Sequence, residues 1–438
     1  MAKQKPGREE NPRAGHMRPR PFSNLFYVAC KPAGSNDHGI KQFIRRARLC
    51  VKPAICLDRG VTVLPKPSSE GILPDRMIAK LAEQGAIRAP YPFAPDQIQP
   101  ASLDLRLGAI AYRVRASFLP GPGITVAQRI AELKLHEFSL SGGAVLETGC
   151  VYIVPLLESL ALPADIAAAT NPKSSTGRLD VFTRVIADET RGFDRVAGGY
   201  HGPLYAEISP KTFPVLVREG SRLSQLRLRR GAAALGAEAL RELHARERLV
   251  DRSEAVMGDG VAVSIDLSGA GVRHAPGADS RGGGIVGYRA KRHTAVIEVE
   301  RRDAYEVADF WEPIAARADK NLILDPDEFY ILASTEAVQV PPDYAAEMVP
   351  FDPLVGEFRV HYAGFFDPGF GYAGAGGLGS RAVLEVRSRE VPFILEHGQI
   401  VGRLVYEKML ARPDRLYGAG IGSNYQAQGL KLSKHFRA

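Results

Sequence analysis

Val151-Tyr152-Ile153-Val154-Pro155-Leu156-Leu157-Glu158 is a short run of branched and aromatic apolar residues, and it returns 178 residues later as Phe329-Tyr330-Ile331-Leu332-Ala333-Ser334-Thr335-Glu336. Runs of this length and composition read as β-strands. The echo continues without a gap from Leu146–Leu226 into Leu324–Leu404, with Pro163/Pro341, Asp165/Asp343, Pro172/Pro350, Glu207/Glu385, Pro214/Pro392 and Gly220/Gly398 in step. Repeated prolines and glycines report repeated backbone geometry, so the fold is duplicated. The polar residues are not: Ser174, Ser175 and Arg178 have become Asp352, Pro353 and Gly356. One copy holds a polar cluster that the other lacks.

Outward from this repeat, further apolar runs at Val181 to Ile186, Leu204 to Ile208 and Val215 to Val217 are matched by Ala382 to Val386 and Phe393 to Leu395. So many short strands bounded by turn residues predict a sandwich or barrel in each half. Asp75 followed by Met77, Ile78 and Leu81 has the spacing of a short amphipathic helix that opens the folded body. Ala232 through Leu249 is dominated by Ala, Leu, Glu and Arg, which predicts a helical connector. These signals divide the chain into a leader (1–70), a first β-rich domain (71–230), the connector (231–257) and a second β-rich domain (258–438). In the second, Val263-Ser264-Ile265-Asp266-Leu267 echoes Ser102-Leu103-Asp104-Leu105, and Gly277 to Gly287 reads as a surface insertion.

The net charge of +8 suggests nucleic acid until it is localised. Residues 1–70 hold 14 Lys and Arg against 5 Asp and Glu, and the rest of the chain holds 43 against 44. The body therefore has no surplus of positive charge for a nucleic-acid partner. The Pro- and Arg-rich leader, with Arg18-Pro19-Arg20-Pro21, reads as a disordered extension or the product of an upstream start codon, and anion or nucleic-acid attachment through Arg45, Arg46 and Arg48 is the functional alternative. Cys30, Cys50 and Cys56 lie in the leader and only Cys150 in the body, so neither a disulfide framework nor a four-cysteine metal site follows. No stretch approaches the roughly 20 apolar residues of a membrane span, and no secretory signal is evident. The expectation is a cytoplasmic protein.

Two motifs are decoys. Gly374-Ala375-Gly376-Gly377-Leu378-Gly379 imitates a dinucleotide fingerprint, but that motif must open a helix and Arg381 to Val386 reads as a strand. His201 and His361 stand alone, without a second ligand at metal spacing, and the His-x-Glu and Pro-Cys-x-x-Cys signature of zinc deaminases is absent. Asn171-Pro172-Lys173-Ser174-Ser175-Thr176-Gly177-Arg178 carries more: hydroxyls, free N–H groups beside a glycine, and a guanidinium would suit phosphate oxygens. A polar turn would use the same residues.

Gln97-Ile98-Gln99-Pro100-Ala101-Ser102-Leu103-Asp104-Leu105-Arg106-Leu107-Gly108 resembles the opening signature of dCTP deaminases, and Ser174-Ser175-x-x-Arg178 resembles their second. Leu162-Pro163-Ala164-Asp165 and Glu219-Gly220-Ser221-Arg222-Leu223-Ser224-Gln225-Leu226 resemble family segments in the expected order. In the second copy Phe366-Asp367-Pro368-Gly369-Phe370 with Ala382-Val383-Leu384-Glu385-Val386 resembles the turn and strand that bear the catalytic glutamate. Ser423-Asn424-Tyr425-Gln426-Ala427-Gln428-Gly429 resembles the tail that closes over the nucleotide. The same elements occur more loosely in dUTPases.

The resemblance spans residues 72–438 and implies a mainly β fold of two tandem dUTPase-like distorted jelly-roll barrels with short helices. It implies zinc-independent deamination of dCTP to dUTP and ammonia, supplying dUMP and dTTP synthesis. A dUTP diphosphatase using Asp367, a bifunctional enzyme, and a non-catalytic nucleotide-binding regulator remain open beside it. Without zinc a carboxylate must activate the water, and burial would tune it. Glu207 and Glu385 sit at equivalent positions and are both candidates. The resemblance implies that Ser174, Ser175 and Arg178 hold the triphosphate or orient the water, that Gln225 binds phosphate, and that Tyr425 and Gln428 belong to the closing tail. Magnesium would arrive on the triphosphate, with no dedicated protein ligands. Because family members share pockets between subunits, the expectation is a composite pocket, with phosphate groups from the first domain and Glu385 from the second, in a homo-oligomer.

Overall fold

The computed structural model describes residues 69–252, 255–269, 284–350, 358–361, 364–375, 379–388, 390–418 and 423–437. The leader, most of the Gly277–Gly287 insertion and Asp352, Pro353 and Gly356 lie outside the described residues.

Each half builds two facing antiparallel sheets, and the halves do so in the same order. In the first, one sheet runs Arg195–Val196, Ile166–Pro172, Ser224–Arg230, Ser102–Leu105, Ile98–Gln99, and the other runs Val181–Ala187, His201–Pro210, Val151–Ala161, Ile110–Val114, Lys134–Ser139. In the second, Phe365–Phe366, Tyr344–Pro350, Ile400–Lys408 and Val261–Ser264 form one sheet, and Phe358–His361, Ser380–Ser388, Phe329–Val338, Ile285–Ala290 and Trp311–Ala315 form the other. The protein is therefore mainly β. The repeated apolar runs each became a strand, because alternate residues could be buried between two sheets. Asp75–Glu83 is the expected opening helix. Ala237–Glu247 is the helix of the connector, anchored by buried Leu240 and Leu243.

The Gly374 run opens no helix: Ala373–Ala375 make one 3-10 turn, and the strand Ser380–Ser388 follows. One helix carried a signal that periodicity overlooked. Thr125 caps Val126–Leu133 by accepting from the Gln128 N–H, while the Gln128 side chain accepts from the Thr125 N–H, a capping box written in the sequence as Thr-x-x-Gln.

The two halves share packing. The core of the first half takes in Phe310, Trp311, Phe329, Ile331 and Phe436 from the second. A further strand crosses over: Ile297–Glu298 pairs in parallel with Val215–Leu216. This seam positions the site.

Candidate active site

Pro172 ends its strand, since it offers no N–H to extend the ladder. Lys173 is extended, and Ser174–Gly177 then makes a single helical turn whose last bond runs from the Arg178 N–H to the Ser174 carbonyl at 3.1 Å. A simple polar turn would sit in water. This one is buried, with Arg178 only 3% exposed.

What the turn faces is a cavity of about 440 Å³ between the halves. Ser174, Ser175, Arg178 and Gln225 line it from the first half, and Asp367, Glu385, Tyr425 and Gln428 from the second. One chain thus brings together eight of the nine residues expected from sequence. The ninth, Glu207, lies elsewhere.

Strand Ser380–Ser388 explains how Glu385 arrives. Ala382, Leu384 and Val386 point into the core of the second half, so Val383 and Glu385 face the cavity. Burial pushes the Glu385 carboxyl up to about 8; the Arg178 guanidinium, with Nε 3.9 Å from Oε1, pulls it down, and Asp180 pushes it up. A carboxyl tuned to that range exchanges protons at neutral pH.

The tail lies over Arg178. Its guanidinium donates to the Lys431 carbonyl at 2.8 Å and to Gln428 Oε1 at 3.1 Å, and it stacks on the Tyr425 ring at 3.9 Å. Gln428 in turn donates to the Arg381 carbonyl at 3.0 Å, beside the Glu385 strand. Ser433 donates to the Ser175 carbonyl at 2.9 Å.

Positive charge gathers in the cavity wall, to which Lys173, Arg222, Arg302 and Lys434 all contribute. Burial, with Lys173 and Arg302 nearby, pushes Lys434 down to about 8. Lys173 pairs with the buried Asp104, and Arg222 lies 3.1 Å from Asp96 and 3.7 Å from Asp104. Such a crowd of cations suits a polyanion.

Asp367 stands in the Asp-Pro-Gly turn. Gly369 holds φ +100, and a Cβ there would meet the Tyr417 carbonyl oxygen at 2.7 Å, so only glycine fits. The Asp367 carboxyl accepts from Arg227 at 2.9 Å and faces Ser102 Oγ at 3.5 Å. Burial pushes its pKa up and Arg227 pulls it down.

Glu207 has the same strand position in the first half and a different neighbour. Arg184 donates to it from Nε at 3.1 Å, and that guanidinium is stacked between Phe193 at 3.4 Å and Phe182 at 4.7 Å. Glu207 does not line the cavity.

Sequence reading had assigned no role to Lys173, Asp104, Arg222, Arg227 or Lys434. Lys173 and Asp104 sit inside the quoted motifs, and Lys434 follows the tail motif closely. Arg227 carried no signal, because an arginine between Leu226 and Leu228 reads as the wet side of a strand.

A family model for the N-terminal domain of 2'-deoxycytidine 5'-triphosphate deaminase matches residues 69–232, and one for its C-terminal domain matches residues 236–436. The chain belongs to the 2'-deoxycytidine 5'-triphosphate deaminase family. A crystal structure of such a deaminase from Agrobacterium tumefaciens is 62% identical with a TM-score of 0.73, covering 78% of this chain and 100% of that one. Shorter deaminases also match. The dCTP deaminase of Haloarcula marismortui is 32% identical over 161 residues, 35% of this chain and 78% of that protein. The dUMP-forming dCTP deaminase of Thermobifida fusca is 30% identical over 164 residues, 35% of this chain and 76% of its own length. Each of these shorter relatives matches about a third of this chain.

Among the described residues no group of three or more His, Cys, Asp or Glu is arranged to hold a metal ion. No described helix is long and apolar enough to cross a membrane.

Proposed function

We propose that this member of the dCTP deaminase family hydrolyses dCTP to dUTP and ammonia, with phosphate recognition by the first half and proton transfer by Glu385 of the second. The observation that carries this reading is a buried glutamate with a raised pKa in the wall of a cavity that is also lined by several cations. Attack at cytosine C4 needs a water that loses a proton and an amine that gains one. Glu385 takes the water proton as the oxygen bonds to C4, then passes it to the amino nitrogen as the C–N bond breaks and ammonia leaves. Arg178 holds the carboxylate and anchors the tail. Ser174, Ser175, Gln225, Lys173 and Lys434 bind the triphosphate.

A magnesium ion fits as a passenger on the phosphates. The carboxylates beside these cations, Asp96 and Asp104, are already taken by Arg222 and Lys173. Its chemistry there is charge neutralisation when bound. Water activation is assigned to Glu385, whose carboxylate stands in the cavity wall.

The pocket draws on both halves of one chain. We place the protein in the cytoplasm as a homo-oligomer acting on dCTP and dUTP; sedimentation tests the assembly. Asp367 is engaged by Arg227, which argues against its use on a phosphate and favours release of dUTP.

Incubation with dCTP is expected to yield dUTP and ammonia in equal amounts. Accumulation of dUMP and diphosphate would establish a bifunctional enzyme instead. Tight nucleotide binding without ammonia would establish a regulator. Because Glu385 must be ionised to accept the water proton, kcat/KM is expected to rise about tenfold per pH unit below the pKa and to level off above about 8. A profile that is flat or falling between pH 6 and 8 would contradict this role.

A further inference from the structure

Behind the cavity wall, Asp180 and Arg387 form an ion pair across the seam. Asp180 follows Arg178 by two residues, and Arg387 follows Glu385 by two. Residues two apart on a strand share a face, so Arg387 projects toward the first half about 7 Å further along than Glu385. Its guanidinium also donates to Thr212 Oγ1 at 3.0 Å and to the Asp327 carbonyl at 2.5 Å, while the Thr212 hydroxyl donates to Asp180 at 2.5 Å. The pair is buried: Asp180 is 1% exposed.

Asp180 occupies a costly conformation. Its φ is +55, in the left-handed region that a side chain other than glycine occupies only when its surroundings hold it there. Its side chain is committed to Arg387 and Thr212, which supply that hold.

The internal repeat provides a control. The position of Asp180 is Phe358 in the second copy, and the position of Arg387 is Ser209 in the first. Both copies kept the glutamate. Only the copy whose glutamate meets Arg178 carries Arg387, and only the copy that carries Arg178 has Asp180. Neither residue lines the cavity.

We propose that Asp180 and Arg387 are positioning residues, a clamp that fixes the Ser174–Arg178 turn against the Glu385 strand and so sets the separation of Arg178 and Glu385. The proposal rests on the reading of Glu385 as the proton-transferring group. The clamp acts through the two residues that touch substrate. It couples the halves of the chain at the point where the composite site needs them in register.

The test is steady-state deamination of dCTP by the full chain. D180A and R387A are each expected to lower kcat about 10- to 100-fold, the cost of misplacing a reacting group by about 1 Å, with KM within threefold. R387K keeps the charge and should recover most of the loss. A role in stability alone predicts otherwise: normal kcat in the folded fraction, equal changes in kcat and KM, or R387K no better than R387A, and any of these overturns the clamp. If the alanine variants fail to fold, D180N/R387M removes both charges while asparagine keeps the left-handed backbone that Asp180 adopts. A folded, stable D180N/R387M with wild-type kcat also overturns it. E385Q separates the two proposals, since full turnover in E385Q removes the underlying reading, whereas an inactive E385Q beside a normal R387A removes only the clamp.

Discussion

E385Q is expected to lose deaminase activity by about 10³-fold or more, at the upper end of what a positioned acid/base supplies, while E207Q turns over within about threefold of the wild type. The amide keeps the shape of Glu385 but cannot shuttle a proton. E385Q should also be the more stable protein. The folded chain holds the carboxyl near 8, whereas the unfolded chain ionises it near 4.5, so folding at pH 7 takes up a proton at a cost of up to about 3 kcal/mol. The sign follows from the raised pKa: the penalty is absent below about pH 4.5, grows as pH rises, and is full by about pH 8. Thermal melts of E385Q against wild type should therefore coincide near pH 4 and separate in favour of E385Q at pH 8. E207Q should instead be the less stable protein. Removing its charge leaves Arg184 unpaired between Phe182 and Phe193, and the expected loss is about 2–4 kcal/mol of stability with the chemistry intact. If E207Q is inactive and well folded while E385Q turns over, the acid/base is Glu207.

Sequence could not choose between these two glutamates, and the reason is physical. Each sits on a strand between apolar neighbours, and alternation says only that the carboxylate points away from its own core. What lies on that far side is decided by residues distant in sequence: Arg184 on the neighbouring strand for Glu207, and the cavity between the halves for Glu385. The strands themselves were legible because each apolar run had to fill one face of a two-sheet core, and the repeat supplied most of the runs twice. The polar cluster at Ser174, Ser175 and Arg178 was legible as chemistry through its motif but not as a buried turn. Arg227 was the least readable. In the pattern Leu226-Arg227-Leu228 it belongs on a wet face, yet the second half covers that face, and Arg227 reaches Asp367 at 2.9 Å and Glu407 at 3.3 Å. Long-range burial of this kind leaves no local mark.

The cavity is therefore a product of asymmetric use of a symmetric fold. Two copies of one two-sheet unit present the same strand position to different surroundings, and burial, opposed by Arg178, moves the Glu385 carboxyl toward neutral pH while Glu207 pairs with Arg184. The duplicated backbone supplies the register, and the substituted side chains supply the difference.

Replacement of Arg178 should have the second largest effect, because three functions converge on one guanidinium. It faces Glu385, it makes two hydrogen bonds to the tail, and it stacks on Tyr425. Lysine keeps the charge but has no planar fork, so it cannot reach Lys431 and Gln428 together while lying flat on the ring. R178K is expected to lower kcat/KM by about 100-fold, with a higher KM because the tail loses its clasp; an oxyanion-type or orienting contact is worth this much in other enzymes. R178Q adds a diagnostic shift. Arg178 pulls the Glu385 pKa down, so removing its charge should move the acid limb of the pH profile to higher pH. Stopped assays with dCTP across pH 6 to 10 read both effects. An R178K enzyme within threefold of wild type would mean that charge alone suffices, and a limb that stays in place in R178Q would mean that Arg178 and Glu385 are not coupled. The opposite sign of shift would be expected only if a carboxylate, and not a cation, were the nearest charge to Glu385, and the 3.9 Å approach of Nε makes the cation nearest among the charges that act on it.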